Sequence, residues 1–293
     1  MNISRRRFLG LTVPALLSVV FYKTFLGSMR TAAAQTVKTH PPVPAAEKEI
    51  NPKVVSVHSQ SATAWDFNAY PYVDHIDEGK VAAMLDEGIK ALTGADTVTA
   101  AWRSVFSAYR PGDTIAIKPN FNDLYAGFRG YVTSPALINA ILDGLIKVVK
   151  TNPGDIIIYD CTRIIPDEFR RMVRHDVRFI EPYGSSFLRK LQYKTMGNAA
   201  VQPDTAFELR MSSRVTSKTG SPVKCYLPHV ITNADHIINV PILKSHQYVS
   251  HSGALKNHYG TVRFSDGHGG PEYLHPPIIH ESIVDINAHS QIR

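Results

Sequence analysis

The chain has 293 residues and a formal net charge of +7, and a basic balance of this kind favours nucleic-acid binding. Residues 1–34 hold five basic residues and no acidic one, so the rest of the chain carries 27 basic and 25 acidic residues, a net charge of +2. Nucleic-acid binding is therefore not indicated. The two cysteines, Cys161 and Cys225, are too few to supply the four thiolates of an iron–sulfur cluster, and whether they form a disulfide is left open.

The first 34 residues contain, in order, the three segments of an export signal. Residues 4–9, SRRRFL, resemble the twin-arginine consensus, an apolar stretch follows from Leu11 to Tyr22, and residues 31–34, TAAA, are typical of a cleavage site. Lys23 interrupts the apolar stretch before it reaches the roughly 20 residues that span a bilayer. The pattern predicts a twin-arginine signal peptide and a periplasmic, bacterial protein. Its partners would include the twin-arginine translocation machinery, and it would meet the membrane only through this segment; an uncleaved, membrane-anchored form is the alternative.

The chain after the leader divides into a lead-in and one domain. Residues 35–52 show no apolar period and predict a flexible lead-in, and residues 53–293 are expected to form a single domain. In this domain apolar runs of strand length alternate with helical patterns. Strands are predicted at 54–57, 114–117, 156–159 and 237–243, and helices from Asp77, from Thr133 with Pro135 in the first turn, over 166–174 and over 252–259. Residues 177–227 lack this rhythm and are expected to form an inserted hairpin region or cap.

Strands that are apolar along their whole length are typical of a parallel sheet covered on both faces. The predicted fold class is therefore α/β, a three-layer, mostly parallel sheet with helices on both faces. In such sheets ligands bind beyond the carboxyl ends of the strands. Each of the four predicted strands runs directly into polar residues, which are 58–59, 118–123, 160–163 and 244–246.

The segment from Lys244 to Gly260, KSHQYVSHSGALKNHYG, is the richest in polar side chains. Its small residues at a predicted helix start would let backbone amides approach an anion, and Lys244 and Lys256 add positive charge. The alternative is that Gly253 only permits close packing and that Lys256 extends into solvent. The predicted ligand-binding residues at the rim are Lys118, Asn120, Lys244 and Lys256, and the predicted catalytic residues are Asp160 and His246.

A divalent metal is left open as a cofactor. Imidazole and carboxylate are common metal ligands, and the candidate set is His246, His251 and Asp160, although no HExxH spacing is present. Gly-rich nucleotide loops of the GxGxxG and Walker types and the GxSxG elbow of hydrolases are also missing from the sequence.

Four segments together resemble the family called domain of unknown function 362: GDTIAIKPNF (112–121), TSP (133–135), INVPILKSH (238–246) and SGALKNHYGTV (252–262). The resemblance extends from about Val54 to Asn287 and implies a single α/β domain. It places the family's recurrent polar positions at Lys118, Asn120, Lys244, His246, Lys256, Asn257 and Gly260, and so adds Asn257 to the predicted ligand-binding residues. Many relatives carry ferredoxin-type cysteine clusters, which this chain lacks. Relatives also continue with another apolar strand after the equivalent of residues 282–287, which implies either a truncated or a divergent member of the family.

These observations lead to three functional hypotheses. The first is an exported enzyme or cofactor protein whose rim holds an anionic small molecule, with a divalent metal as an open element. The second is a non-catalytic periplasmic protein that binds a phosphorylated or carboxylated molecule through the same lysines. The third is a degenerate, truncated paralogue without activity. Whether the protein is an enzyme stays open at this point.

Overall fold

The computed structural model describes residues 53–63, 75–122, 132–182 and 198–292. The predicted signal peptide and lead-in lie outside these residues. None of the helices in the described segments is long and apolar enough to cross a membrane.

The described residues contain the following helices and strands. The α-helices are α1 (Glu78–Thr93), α2 (Val98–Val105), α3 (Pro135–Asp143), α4 (Asp167–Met172), α5 (His229–Thr232), α6 (Ala254–Asn257) and α7 (Ile279–Ala288). The strands are β1 (Ile115–Pro119), β2 (Ile156–Tyr159), β3 (Arg178–Ile180), β4 (Pro203–Leu209), β5 (Cys225–Pro228), β6 (His236–Val240), β7 (Lys244–His246), β8 (Ser250–Ser252) and β9 (Arg263–Phe264).

A four-stranded parallel sheet in the order β3-β2-β1-β6 forms the centre of the fold. The chain leaves β1 through α3 and returns to β2 on one side, whereas β6 pairs with β1 on the other side. The strand order therefore reverses between β1 and β6. A crevice opens at such a switch point beyond the carboxyl ends of the strands, where α/β proteins bind ligands.

Both faces of the sheet are covered, which confirms the predicted α/β class. Alternate side chains of the strands point to opposite faces. On one face Ile117, Ile158 and Ile238 pack against α1, α2, α3 and α4. On the other face Ala116 and Ile157 belong to a second cluster, which includes buried residues of α5, α7 and the antiparallel sheet β4-β5-β9.

Helix ends follow the sequence signals. The Asp77 side chain accepts a hydrogen bond from the backbone N–H of Lys80 and caps α1. The Ser134 hydroxyl accepts from the backbone N–H of Ala136 and caps α3, with Pro135 at the first helical position. Both side chains satisfy backbone donors that have no partner within the first turn.

One predicted strand is missing from the central sheet. Residues 54–57 form no strand there, and Val54 is 86% exposed. The central sheet instead contains β3, a strand that was not predicted because three residues are too few to show a period of two. The chain between 177 and 227 also contains β4 and β5, an antiparallel pair of the kind expected there, with residues 183–197 outside the described part.

The predicted helix over residues 252–259 is shorter than expected. The α-helical part, α6, has four residues and continues as a 3-10 turn over His258–Thr261. The strand before it also ends early, at Val240, because Pro241 has no N–H to donate to a sheet. The short hairpin β7-β8 lies between β6 and α6 in the chain.

Both cysteines are free thiols in the structure. Cys161 and Cys225 are buried in the cluster on the same face of the sheet. Burial raises the pKa of each thiol to about 12. Because the thiolate is the reactive form of cysteine, neither side chain is suited to act as a nucleophile at neutral pH.

Candidate functional site

A buried ion pair joins the carboxyl ends of β1 and β2. The Lys118 Nζ lies 2.8 Å from Asp160 Oδ2, and the two side chains are only 2% and 3% exposed. The ammonium also donates to the carbonyl of Pro119 at 2.7 Å. A charge can be kept away from water only where another charge and hydrogen bonds compensate it, and both conditions are met for Lys118.

The second carboxylate oxygen of Asp160 organises the turn that follows β2. Asp160 Oδ1 accepts hydrogen bonds from the backbone N–H groups of Thr162 at 2.8 Å and Arg163 at 2.9 Å. The Thr162 hydroxyl adds a third contact at 3.2 Å. Because both carboxylate oxygens are engaged inside the protein, Asp160 positions Lys118 and Arg163 rather than facing a ligand.

Three asparagines connect the ends of β1 and β6 with α6. Asn257 Nδ2 donates to the carbonyl of Lys118 at 2.9 Å and to Asn239 Oδ1 at 2.8 Å. Asn257 Oδ1 accepts from Asn120 Nδ2 at 3.0 Å, and Asn239 Nδ2 donates to the carbonyl of Ala254 at 2.8 Å. We call Asn120, Asn239 and Asn257 the asparagine framework. It ties together three chain segments that meet at the switch point, without adding charge.

Thr133, at the start of α3, fixes the same edge of the sheet. Its hydroxyl donates to the carbonyl of Val240 at 2.7 Å and accepts from the backbone N–H of Asn120 at 2.8 Å. Its own backbone N–H donates to the carbonyl of Asn120 at 3.0 Å. The loop after β1 is therefore attached to the end of β6.

Three basic side chains meet above this framework: Arg163, Lys244 and Lys256, which we call the basic cluster. Lys244 Nζ donates to the carbonyl of Asn122 at 2.7 Å, and Arg163 Nε donates to the side-chain oxygen of the same residue at 3.2 Å. Burial, followed by the charges of Lys244 and Arg163, lowers the pKa of Lys256 to about 8. The three cations are thus close enough to repel one another.

Two imidazoles border the basic cluster. Burial is the main cause that lowers the pKa of His246 to about 4, with further contributions from Lys256 and His275. Burial and Lys256 also lower the pKa of His275. The ring of Tyr248 lies between them, 5.9 Å from His246 and 5.5 Å from His275, measured between ring centroids. Both histidines are therefore neutral at pH 7 and add no positive charge.

The structure does not bring the three predicted metal ligands together. In the β7-β8 ladder His251 lies opposite Ser245. Because successive residues of a strand face opposite sides, His246 and His251 project from opposite sides of the hairpin. The carboxylate of Asp160 is buried with Lys118. Within the described residues, no group of three His, Cys, Asp or Glu side chains is arranged to hold a metal ion.

The other predicted site residues separate into two levels. Lys118 and Asn257 are buried in the hydrogen-bonded base of the site, with Asn120 partly buried beside them, whereas Lys244 and Lys256 lie half-buried at its surface. The predicted site residues did not include Arg163, Asn239 and His275. Arg163 had a signal, since it belongs to the polar segment 160–163 at a strand end, and so did Asn239, a polar residue within an apolar strand; His275 had none.

The residues that form this site lie within a segment that matches a known protein family. The family described as Domain of unknown function (DUF362) matches residues 115–292, which is more than half of the chain. The chain belongs to the DUF362 family. A comparison with curated proteins gives no match. The DUF362 segment begins at β1 and contains the ion pair, the asparagine framework and the basic cluster, while α1 and α2 precede it.

The ion pair of the DUF362 domain gives a first prediction. Asp160→Asn leaves the buried ammonium of Lys118 without a compensating charge, and we expect a loss of about 3–5 kcal/mol in the free energy of unfolding. Urea denaturation measures this loss. The double variant Lys118→Met/Asp160→Asn removes both charges and is expected to recover part of the stability. Equal stability of the single and double variants would show that the uncompensated charge is not the cause.

His258 gives a prediction about pH. Its side chain is 2% exposed, its Nδ1 has no hydrogen-bond partner within the described residues, and burial lowers its pKa from 6.5 to about 3. Between these two values the unfolded chain binds a proton that the folded chain does not. Stability from neutral His258 is therefore complete above pH 6.5 and is lost as the pH falls toward 3.

The contribution of His258 has a slope of about 1.4 kcal/mol per pH unit within this window. We expect His258→Gln to reduce the pH dependence of the unfolding free energy by about this slope, measured by urea denaturation between about pH 6 and pH 4. His246 and His275 also make the protein less stable at low pH, because their pKa values are lowered too. Both remain in the variant, so their effect cancels when the variant is compared with the parent protein. The exposed His280→Gln is the control; an equal effect of both substitutions would contradict the prediction.

Proposed function

We propose that this DUF362 protein binds an anionic small molecule, phosphorylated or carboxylated, above the carboxyl ends of β1 and β6. The observation that supports this proposal is the basic cluster. Among the described residues, Arg163 and Lys256 form no ion pair with a carboxylate, and other positive charges lie close to them. Bringing like charges together costs free energy, and a bound anion would recover it.

The surroundings of the basic cluster favour a small, oriented ligand. The asparagine framework and the Lys118–Asp160 ion pair hold the loops that carry Arg163 and Asn122. A binding group whose supporting residues are fixed loses less conformational freedom when the ligand arrives. We therefore assign the ligand contacts to Arg163, Lys244 and Lys256, and supporting roles to the buried polar residues beneath them.

The geometry weakens two contributions to anion binding that the sequence predicts. The start of α6 is a weak source of anion binding, because a helix of four residues has little macrodipole. Lys118 is buried and bound to Asp160, so it is a support rather than a ligand contact. A metal is not part of this proposal, because His246 and His251 project from opposite sides of their hairpin.

The same arrangement serves an enzyme or a binding protein. His246 is the side chain at the rim that was predicted to be catalytic, and a base whose pKa is about 4 accepts protons poorly at neutral pH. Anion binding is therefore the function that the geometry supports best. Chemical change of the bound anion would show catalysis, and binding without change would show a binding protein.

The proposal predicts that the basic cluster determines affinity for anions. We expect Lys244→Ala and Lys256→Ala each to weaken binding of inorganic phosphate or malonate roughly tenfold or more, because a hydrogen bond to a charged group contributes about 1.5–3 kcal/mol. Isothermal titration calorimetry measures the affinities. Lys218→Ala, which removes an exposed lysine, is the matched control and should bind like the parent protein. Unchanged affinity in both cluster variants would refute the assignment.

We also propose that the protein is exported through the twin-arginine pathway and acts in the periplasm. Residues 4–9 support this proposal, since paired arginines followed by Phe8 and Leu9 are typical of that signal. Replacing Arg5 and Arg6 together by Lys should keep the charge but retain the protein in the cytoplasm. Cell fractionation followed by immunoblotting measures the distribution. Periplasmic recovery of the Lys variant at the parent level would argue against this route.

A further inference from the structure

We propose that Lys256 is a reactive amine that forms an imine with a small carbonyl compound carrying an anionic group, such as a 2-oxo acid or glyoxylate. This inference rests on the proposed function, because Arg163 and Lys244 would hold the anionic group. It adds a substrate class and a covalent step to simple anion binding.

The placement of Lys256 is unusual for a lysine at a protein surface. Its side chain is half-buried, and its Nζ lies 4.9 Å from the centroid of the Tyr259 ring. The hydroxyl of Tyr259 donates to the carbonyl of Leu274, so the ring has a fixed position. In the described residues Nζ has neither a carboxylate partner nor a hydrogen bond. The amine therefore lies over the face of a fixed aromatic ring and is available to a ligand.

The charges around Lys256 favour its neutral form. Lys244 and Arg163 are the charged groups that act on it, and together with burial they bring its pKa to about 8. Glu272 is the carboxylate that acts on Arg163 and His275, and it lies 2.8 Å from the imidazole of His268. His246 and His275 are neutral at pH 7. A lysine beside other cations in a partly dry environment is a known means of activating an amine as a nucleophile.

The proposed step is balanced without an oxidant or reductant. The lone pair of neutral Nζ forms a bond to the carbonyl carbon as the carbonyl π bond breaks, and one proton passes from the nitrogen to the oxygen to give a carbinolamine. The hydroxyl takes up a proton and leaves as water while the nitrogen lone pair forms the carbon–nitrogen double bond, and the nitrogen gives up its remaining proton to give the neutral imine. One water is released for each imine. The anionic group stays with Arg163 and Lys244 and keeps the carbonyl carbon within reach of Nζ.

Reductive trapping tests the proposal. The purified protein is incubated with glyoxylate and sodium cyanoborohydride, which converts the imine to a stable secondary amine, and the modified lysines are identified by peptide mass spectrometry. We expect Lys256 to be modified roughly tenfold or more faster than the exposed Lys150 and Lys218, because more of it is neutral. Glycolaldehyde, which has no carboxylate, should show a smaller preference for Lys256.

Phosphate binding by the parent protein, measured by calorimetry, separates this inference from the proposed function. The variant Lys256→Arg removes the amine that forms the imine, so the adduct at this position should disappear. Equal modification of Lys256, Lys150 and Lys218 in a protein that binds phosphate would overturn the imine and leave the anion site standing. Absence of phosphate binding in the parent protein would overturn the proposed function and, with it, the basis of this inference.

Discussion

The buried ion pair between Lys118 and Asp160 is the constraint on which the rest of the site depends. Two charges held away from water must be compensated by each other and by hydrogen bonds, and few arrangements of the surrounding chain meet that condition. Asp160 meets it with the backbone of the following turn, which brings Arg163 to the rim. The backbone carbonyl of Lys118 also accepts from Asn257, which fixes α6 beside the end of β1.

The site has two levels: uncharged asparagine side chains form its lower part, and the positive charges of the basic cluster lie at its surface. Asn257 donates to Lys118 and Asn239 and accepts from Asn120, so one amide side chain joins β1, β6 and α6. Amides can satisfy several hydrogen bonds at once while leaving the local net charge unchanged. The positive potential at the switch point therefore comes mainly from the basic cluster, where a ligand can reach it. An arrangement with further buried lysines in place of the asparagines would need more buried carboxylates to compensate them.

The parts of this arrangement that follow a regular period could be predicted from the sequence. The apolar runs of β1, β2 and β6 indicated the parallel sheet, and the polar residues at their ends included Lys118, Asp160 and Lys244. The short β3 could not be found, since three residues carry no periodicity. Nor could the sequence show that residues 244–252 form a hairpin, which directs His246 and His251 to opposite sides. Burial was equally hidden: Lys118 and Lys256 are both predicted to bind the ligand, and only tertiary packing places one in the interior and the other at the rim.

That difference between two lysines connects the fold to its chemistry. Lys118 faces a carboxylate, so removing its charge would leave Asp160 buried and uncompensated. Lys256 faces Lys244 and Arg163, so its neutral form relieves repulsion and costs the fold nothing comparable. A separate anion bound to the cluster would cancel part of that repulsion and raise the pKa of Lys256 again. A compound that carries the anionic group and the carbonyl in the same molecule would bring the carbonyl carbon to Nζ as it binds, which a simple anion cannot do. Proximity, rather than electrostatics, therefore makes a bifunctional ligand necessary for any covalent step at this rim.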